Sequence, residues 1–258
     1  MRNETVVVFR LNEEDAERLN PLLPDFMPGV SFRGGAWQVR FHHASEAVRA
    51  FARALVEVDV GFDVREERSF RVEEIDRAPA LRLHRAPLVR ARRAAGDGAC
   101  EHLVRDVDDS PVRLEEDDAF RLARTTGGDL LVDERIAAAL IRERVGGCLL
   151  RPVQDAQGAT SPYFEIVPVH RLPPMHSPPT RFARKPENVC PVCGRGGLEL
   201  HSPPFYDCEV EALTDVNATY ETFGDGDEAA PGLMLSQKLF RLLKQEGAEL
   251  EVEPVLFV

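Results

Sequence analysis

The feature that most limits what this chain can fold into is a pair of similar segments in its second half. Residues 130–140 read Leu-Leu-Val-Asp-Glu-Arg-Ile-Ala-Ala-Ala-Leu and lead to Cys-Leu-Leu-Arg-Pro-Val at 148–153. Residues 233–243 read Leu-Met-Leu-Ser-Gln-Lys-Leu-Phe-Arg-Leu-Leu and lead to Leu-Glu-Val-Glu-Pro-Val at 250–255. The two align with a single one-residue gap. Each reads as a strand end, a polar cap (Asp133 or Ser236), an amphipathic helix, a glycine stop (Gly146-Gly147 or Gly247) and a strand closing on Pro-Val. Ile136, Leu140 and Ile141 line one helix face, and Leu239, Leu242 and Leu243 line the other. A lone strand-helix-strand unit cannot bury its apolar face, so the pattern predicts two units packed together. The expectation is a duplicated α+β domain over residues 119–258.

The first part of the chain has a different rhythm. Residues 5–11 alternate and are β-branched, as a strand should be, and acids open a helical stretch at 13–19. Extended segments flank Gly34-Gly35 as in a hairpin, and Ser45 caps a helix running to Val58 with Val48, Phe51 and Leu55 on one face. Residues 62–72 look extended again. That order is the one found in a ferredoxin-like split βαβ unit, which predicts an N-terminal α+β domain over residues 1–95. The overall fold class expected is α+β. Residues 73–118 read as a connector. Its basic run (Arg82, His84, Arg85, Arg90, Arg92, Arg93) gives way to acids, and residues 96–118 read as a charged linker. The proline-rich interval 154–232 offers one plausible strand at 163–169 and little other regular structure.

Charge and composition narrow the function classes. Lys and Arg number 32 against 44 Asp and Glu, a formal charge of −12. Phosphate binding is driven by basic residues, so nucleic acid is not an expected ligand, whereas a basic partner protein is. No stretch approaches the roughly 20 apolar residues that span a bilayer, and no secretory leader opens the chain. No membrane is therefore expected as a partner. An odd number of cysteines, five, fits a reducing compartment, and the expected location is cytoplasmic.

Cys190-Pro-Val-Cys193-Gly194 is the sharpest local motif. Such a turn aims two thiolates at one ion, with glycine permitting the tight bend, and predicts a structural zinc. Cys208 is the natural third ligand, and His201 or His176 the fourth. A redox-active pair would sit at a helix start, which Arg195-Gly-Gly cannot provide. A third reading is two metal-free cysteines in a tight turn. No G-x-S-x-G, P-loop, H-E-x-x-H or G-x-G-x-x-G occurs, and His42-His43 reads as a surface pair. The residues ask for no catalysis, and the chain is read as a non-enzyme.

From about residue 118 onward the chain resembles the double-CXXCG motif family of myxobacterial immunity proteins. The matching residues are Gly128-Asp-Leu-Leu-Val-Asp-Glu-Arg135, Gly147-Cys-Leu-Leu-Arg-Pro-Val153, Cys190-Pro-Val-Cys-Gly-Arg195, and the last stretch from Leu233 to Val255. The first CXXCG expected of that family is absent; residues 1–110 contain only Cys100. What the resemblance implies is neutralisation of a cognate protein toxin by stoichiometric binding. The alternative reading is a zinc-ribbon accessory module that binds nucleic acid or a larger protein machine.

Overall fold

A computed structural model describes residues 2–10, 30–33, 36–42, 45–57, 59–93, 111–116, 119–177, 179–224 and 229–257. The chain forms two compact units that divide between Glu74 and Ile75. Strands dominate both. The predicted helix at 13–19, the Gly34-Gly35 turn and most of the 96–118 linker lie outside the described residues.

In the first unit, β1 (Arg2–Phe9), β2 (Val30–Arg33), β3 (Ala36–His42) and β4 (Phe62–Ser69) form one antiparallel sheet in the order β2-β3-β1-β4. Helix α1 (Ser45–Glu57) buries Phe51 and Leu55 against Val7, Phe9, Val39 and Phe41. The rings of Phe9 and Phe51 meet edge-on at 5.5 Å. A short helix, α2 (Val72–Arg77), crosses the boundary between the units.

The second unit holds two seven-stranded sheets. The first contains β6 (Leu88–Val89), β7 (Ala91–Arg93), β8 (Val112–Leu114), β9 (Leu122–Thr125), β10 (Leu130–Asp133), β11 (Cys148–Gln154) and β12 (Thr160–Pro168). Their order is β6-β9-β10-β12-β11-β8-β7. The second contains β5 (Ala80–Arg85), β13 (Phe182–Val189), β14 (Gly196–Leu200), β15 (Phe205–Tyr206), β16 (Val216–Phe223), β17 (Ala230–Ser236) and β18 (Glu251–Phe257), ordered β13-β14-β16-β17-β5-β18-β15. Helices α3 (Glu134–Arg142) and α4 (Gln237–Gln245) start at the predicted caps. Asp133 accepts from the Ile136 amide at 2.8 Å, and Ser236 from the Leu239 amide at 3.1 Å. Ile136, Leu140, Leu239 and Leu243 share one core with Leu122, Leu130 and Val132 of the first sheet and Leu83, Leu233 and Leu235 of the second. Ile141 does not join them; it is 69 % exposed.

The α+β expectation, with a ferredoxin-like first part and duplicated strand-helix-strand units, is corrected by this architecture. The fold is mostly β, and among the described residues each of the two large sheets carries one nine-residue helix. Two segments account for the difference. Residues 80–93, grouped by sequence with the first domain and the connector, supply strands to both sheets of the second unit. Leu81 and Leu83 alternate with polar neighbours and are buried, and β5 pairs antiparallel with both β17 and β18. In the other sheet β12 fills the same place between β10 and β11. One central strand thus follows its helix in sequence, while the other precedes its helix by some 150 residues, beyond the reach of a local repeat. The second segment is the proline-rich interval, which forms strands from β12 to β16. Pro186 is tolerated because β13 is an edge strand whose pairing is interrupted between Arg184 and Val189.

Candidate functional site

Five strands of the first large sheet each carry an apolar residue into a cluster on the face away from the helices. These are Ala91, Ala123, Leu131, Val153 and Tyr163, joined by Val89, Val112 and Leu114. The Phe120 and Tyr163 rings stack across it at 4.1 Å. Side chains two positions apart on a strand point the same way. Moving two residues along the chain from each reaches Arg93, Thr125, Arg151 and Glu165 on their strands and Asp129 in the turn before β10. A polar and charged layer therefore sits beside the apolar one on the same face.

The layer is tightly connected. Arg93 Nη2 donates to Glu165 Oε1 and to Asp129 Oδ1, the latter at 3.1 Å. The side chains of Arg93 and Glu165 are only 6 % and 4 % exposed. Thr125 donates its hydroxyl to Asp129 Oδ2 at 3.1 Å and accepts from the Asp129 amide at 3.0 Å, which fixes the β9–β10 turn. Gly128 in that turn has φ +87, and a side chain there would collide with Ala230. Arg151 approaches Glu165 Oε2 to 3.8 Å, beyond hydrogen-bond reach, and that buried oxygen accepts no hydrogen bond.

Two carboxylates share Arg93, and the ionisation of Arg93 and Glu165 reflects the crowding. Burial works against the charge on Arg93, but Asp129 and Glu165 outweigh it and hold the guanidinium more firmly protonated than usual. Glu165 fares the other way: burial and the neighbouring Asp129 charge push its carboxyl above the usual range, despite Arg93 and Arg151.

The layer opens into a cavity of about 310 Å³. Its far wall comes from the end of β12, the chain after it and the second sheet: Val167, Val169, His170, Arg171, Ala230 and Pro231. His170 Nδ1 lies 2.7 Å from Asn217 Oδ1, and Arg171 sits 6.0 Å from the centre of the Tyr220 ring. Val169 in the lining is 61 % exposed; Leu149, also 61 % exposed, pairs with the lining residue Val167, and Tyr220, 58 % exposed, is the ring beside the lining residue Arg171. A charged floor thus has exposed apolar and aromatic side chains on and next to its lining. Sequence reasoning passed over these residues. Arg93 was grouped with a solvated basic run, and Glu165 was read only as part of a strand. The available signal was an acid flanked by apolar residues on both sides in Tyr163-Phe-Glu-Ile-Val.

The predicted metal ligands lie elsewhere. Cys190 and Cys193 occupy the turn between β13 and β14, closed by Gly194 N to Cys190 O at 2.9 Å and Cys190 N to Arg195 O at 2.7 Å. Gly194 takes φ +71, as the motif anticipates. Cys208 follows β15 and packs against a different core cluster, where burial and Asp207 push its thiol up. His201 follows β14 and approaches Glu199 at 3.7 Å, while the His176 amide donates to Phe205 O. Among the described residues no three His, Cys, Asp or Glu side chains are grouped to hold a metal. Cys190, Cys193, Cys208 and His201 are thus not brought together as one such group.

No helix among the described residues is long and apolar enough to cross a membrane. Compared with protein-family profiles and with curated proteins, the chain matches none.

Proposed function

We propose that this protein acts by occupying a partner protein in a stoichiometric complex, as an immunity protein neutralises a toxin, and that the cavity beside Glu165 is where the partner is anchored. One observation carries the reading: a buried charged floor in a cavity lined by exposed Val169, with exposed Leu149 and Tyr220 next to the lining residues Val167 and Arg171. Protein interfaces concentrate their energy in such places, with an enclosed anchor point ringed by apolar and aromatic contacts that exclude water. The formal charge of −12 supports a basic partner, since opposite charge speeds encounter at low salt. The sequence resemblance in the second half supports the toxin-antagonist version of this reading.

The test is neutralisation at defined ratios. Titrated against the toxin encoded beside it, the protein should abolish toxicity at one equivalent and leave the toxin chemically intact. Neutralisation at a small fraction of an equivalent would replace binding by turnover. The zinc-module reading keeps one feature in its favour, the Cys190–Cys193 turn with Gly194 at φ +71. One tightly held zinc per chain, lost on Cys193→Ser, would advance it.

A further inference from the structure

We propose that Arg144 is a second anchor for the partner, and that the separate cavity it lines receives a carboxylate side chain, a glutamate or aspartate. This inference rests on the partner-binding reading and adds a contact of defined chemistry to it. The two helices of the second unit end in the same cap. Arg144 N donates to Ile141 O at 3.1 Å and Val145 N to Leu140 O at 3.0 Å; Gly247 N donates to Lys244 O at 3.1 Å and Ala248 N to Leu243 O at 2.9 Å. The residue that closes the cap is left-handed in both, with φ +51 at Arg144 and +81 at Gly247. Glycine takes that conformation freely, whereas a residue with a side chain is strained in it. Strain kept where the twin helix uses glycine points to a task for the side chain, not for the turn.

That side chain lines a cavity of about 340 Å³. The other polar side chains of the lining are engaged locally. Ser236 Oγ donates to Asp215 Oδ1 at 2.6 Å, the Gly146 amide donates to Asp215 Oδ2 at 2.9 Å, and Thr214 Oγ1 donates to Asn217 Oδ1 at 2.9 Å. Lys238 Nζ stands 3.7 Å from Asp215 and offsets its charge. Arg144 is exposed, and among the described residues its guanidinium makes no hydrogen bond or ion pair. A guanidinium offers a planar fork of parallel N–H groups, and an oxyanion takes two of them at once. A hydroxyl, an imidazole or a carboxamide presents one acceptor atom and engages the fork at a single point. Carboxylate and phosphate both meet the fork. Pro79, Val210 and Leu213 decide between them, because the methylene stem of a side chain covers this apolar part of the lining and a phosphate does not.

The probes are inorganic phosphate and capped tripeptides, Ala-X-Ala with X as Glu, Asp, Gln, Ser, His or Lys, titrated into the full-length protein and followed by NMR at the Arg144 side chain and the Gly146 amide. The Glu or Asp peptide should bind about tenfold or more tightly than the Gln, Ser, His and Lys peptides and than phosphate. Arg144→Gly installs the residue of the twin cap, so its urea midpoint should rise above that of the wild type while the peptide shifts vanish. Arg144→Lys keeps the charge without the fork and should recover only part of the binding. A Glu peptide bound equally by Arg144→Gly, no binding by any peptide, or a preference for another peptide or for phosphate would overturn the assignment. So would a lowered midpoint in Arg144→Gly, because the arginine would then serve the fold. Val169→Trp fills the cavity beside Glu165 from an exposed position and tests the partner reading separately. A partner complex unchanged by Val169→Trp sinks that reading, and one unchanged by Arg144→Gly alone sinks only this one.

Discussion

Arg93 and Glu165, 72 residues apart in sequence, form a buried pair in which Nη2 of the arginine donates to Oε1 of the carboxylate. Asp129 shares the same nitrogen. Arg93→Met would leave two carboxylates without their common cation, a loss of about 3–5 kcal/mol for a buried network. Arg90, from the same basic run, pairs with Glu116 at the surface, and Arg90→Met should cost no more than about 1 kcal/mol. Urea unfolding of the two variants checks the contrast.

The raised pKa of Glu165 gives stability a definite pH dependence. The folded state keeps this proton to a higher pH than the unfolded chain, whose carboxyl titrates near 4.5. The group's contribution is therefore greatest below that value and declines as pH climbs through the folded-state pKa. In Glu165→Gln that decline disappears. Wild-type minus variant stability, measured by urea unfolding between pH 4 and 8, should fall with rising pH. A difference that grows with pH would mean the arginines dominate the site.

Leu140 and Leu243 are buried in the core between the large sheets, and truncating either to alanine should cost about 2–5 kcal/mol. Ile141→Ala should change stability by no more than about 0.5 kcal/mol, because its side chain faces outward. Thermal and urea unfolding should separate the three clearly.

Gly147 and Gly247, read as equivalent helix stops, are not equally constrained. Both have φ near +80, which costs an alanine roughly 1–2 kcal/mol. At Gly147 a Cβ would also lie 2.0 Å from Thr214 Oγ1 and 2.5 Å from Val216 O, whereas at Gly247 the nearest atom is 3.9 Å away. Gly147→Ala should be the more damaging, by a margin readable in the urea midpoint.

Local signals carried well from sequence to structure. The caps at Asp133 and Ser236 act on single amides three residues on, and the apolar face of α4 follows from helical spacing. Non-local pairing was illegible. Nothing near residues 80–85 announces that they insert between strands 150 residues later, and a basic run looks solvated until one member is enclosed. The candidate site has the same origin. Its floor is assembled from four strands and the β9–β10 turn, so no window of sequence contains it. The cysteine turn is legible as a local motif that fixes a turn, and among the described residues no third ligand is grouped with it.

The central claim is that a partner protein is held at the cavity above the Arg93–Glu165 floor, which exposed Val169 lines and beside which Leu149 and Tyr220 stand exposed next to Val167 and Arg171. Isothermal titration of the cognate toxin into wild-type protein and into Val169→Trp tests it most directly. The account predicts a one-to-one complex for the wild type and a Kd raised by more than about tenfold in the variant, which corresponds to about 1.4 kcal/mol. Equal affinity for the two proteins would contradict it.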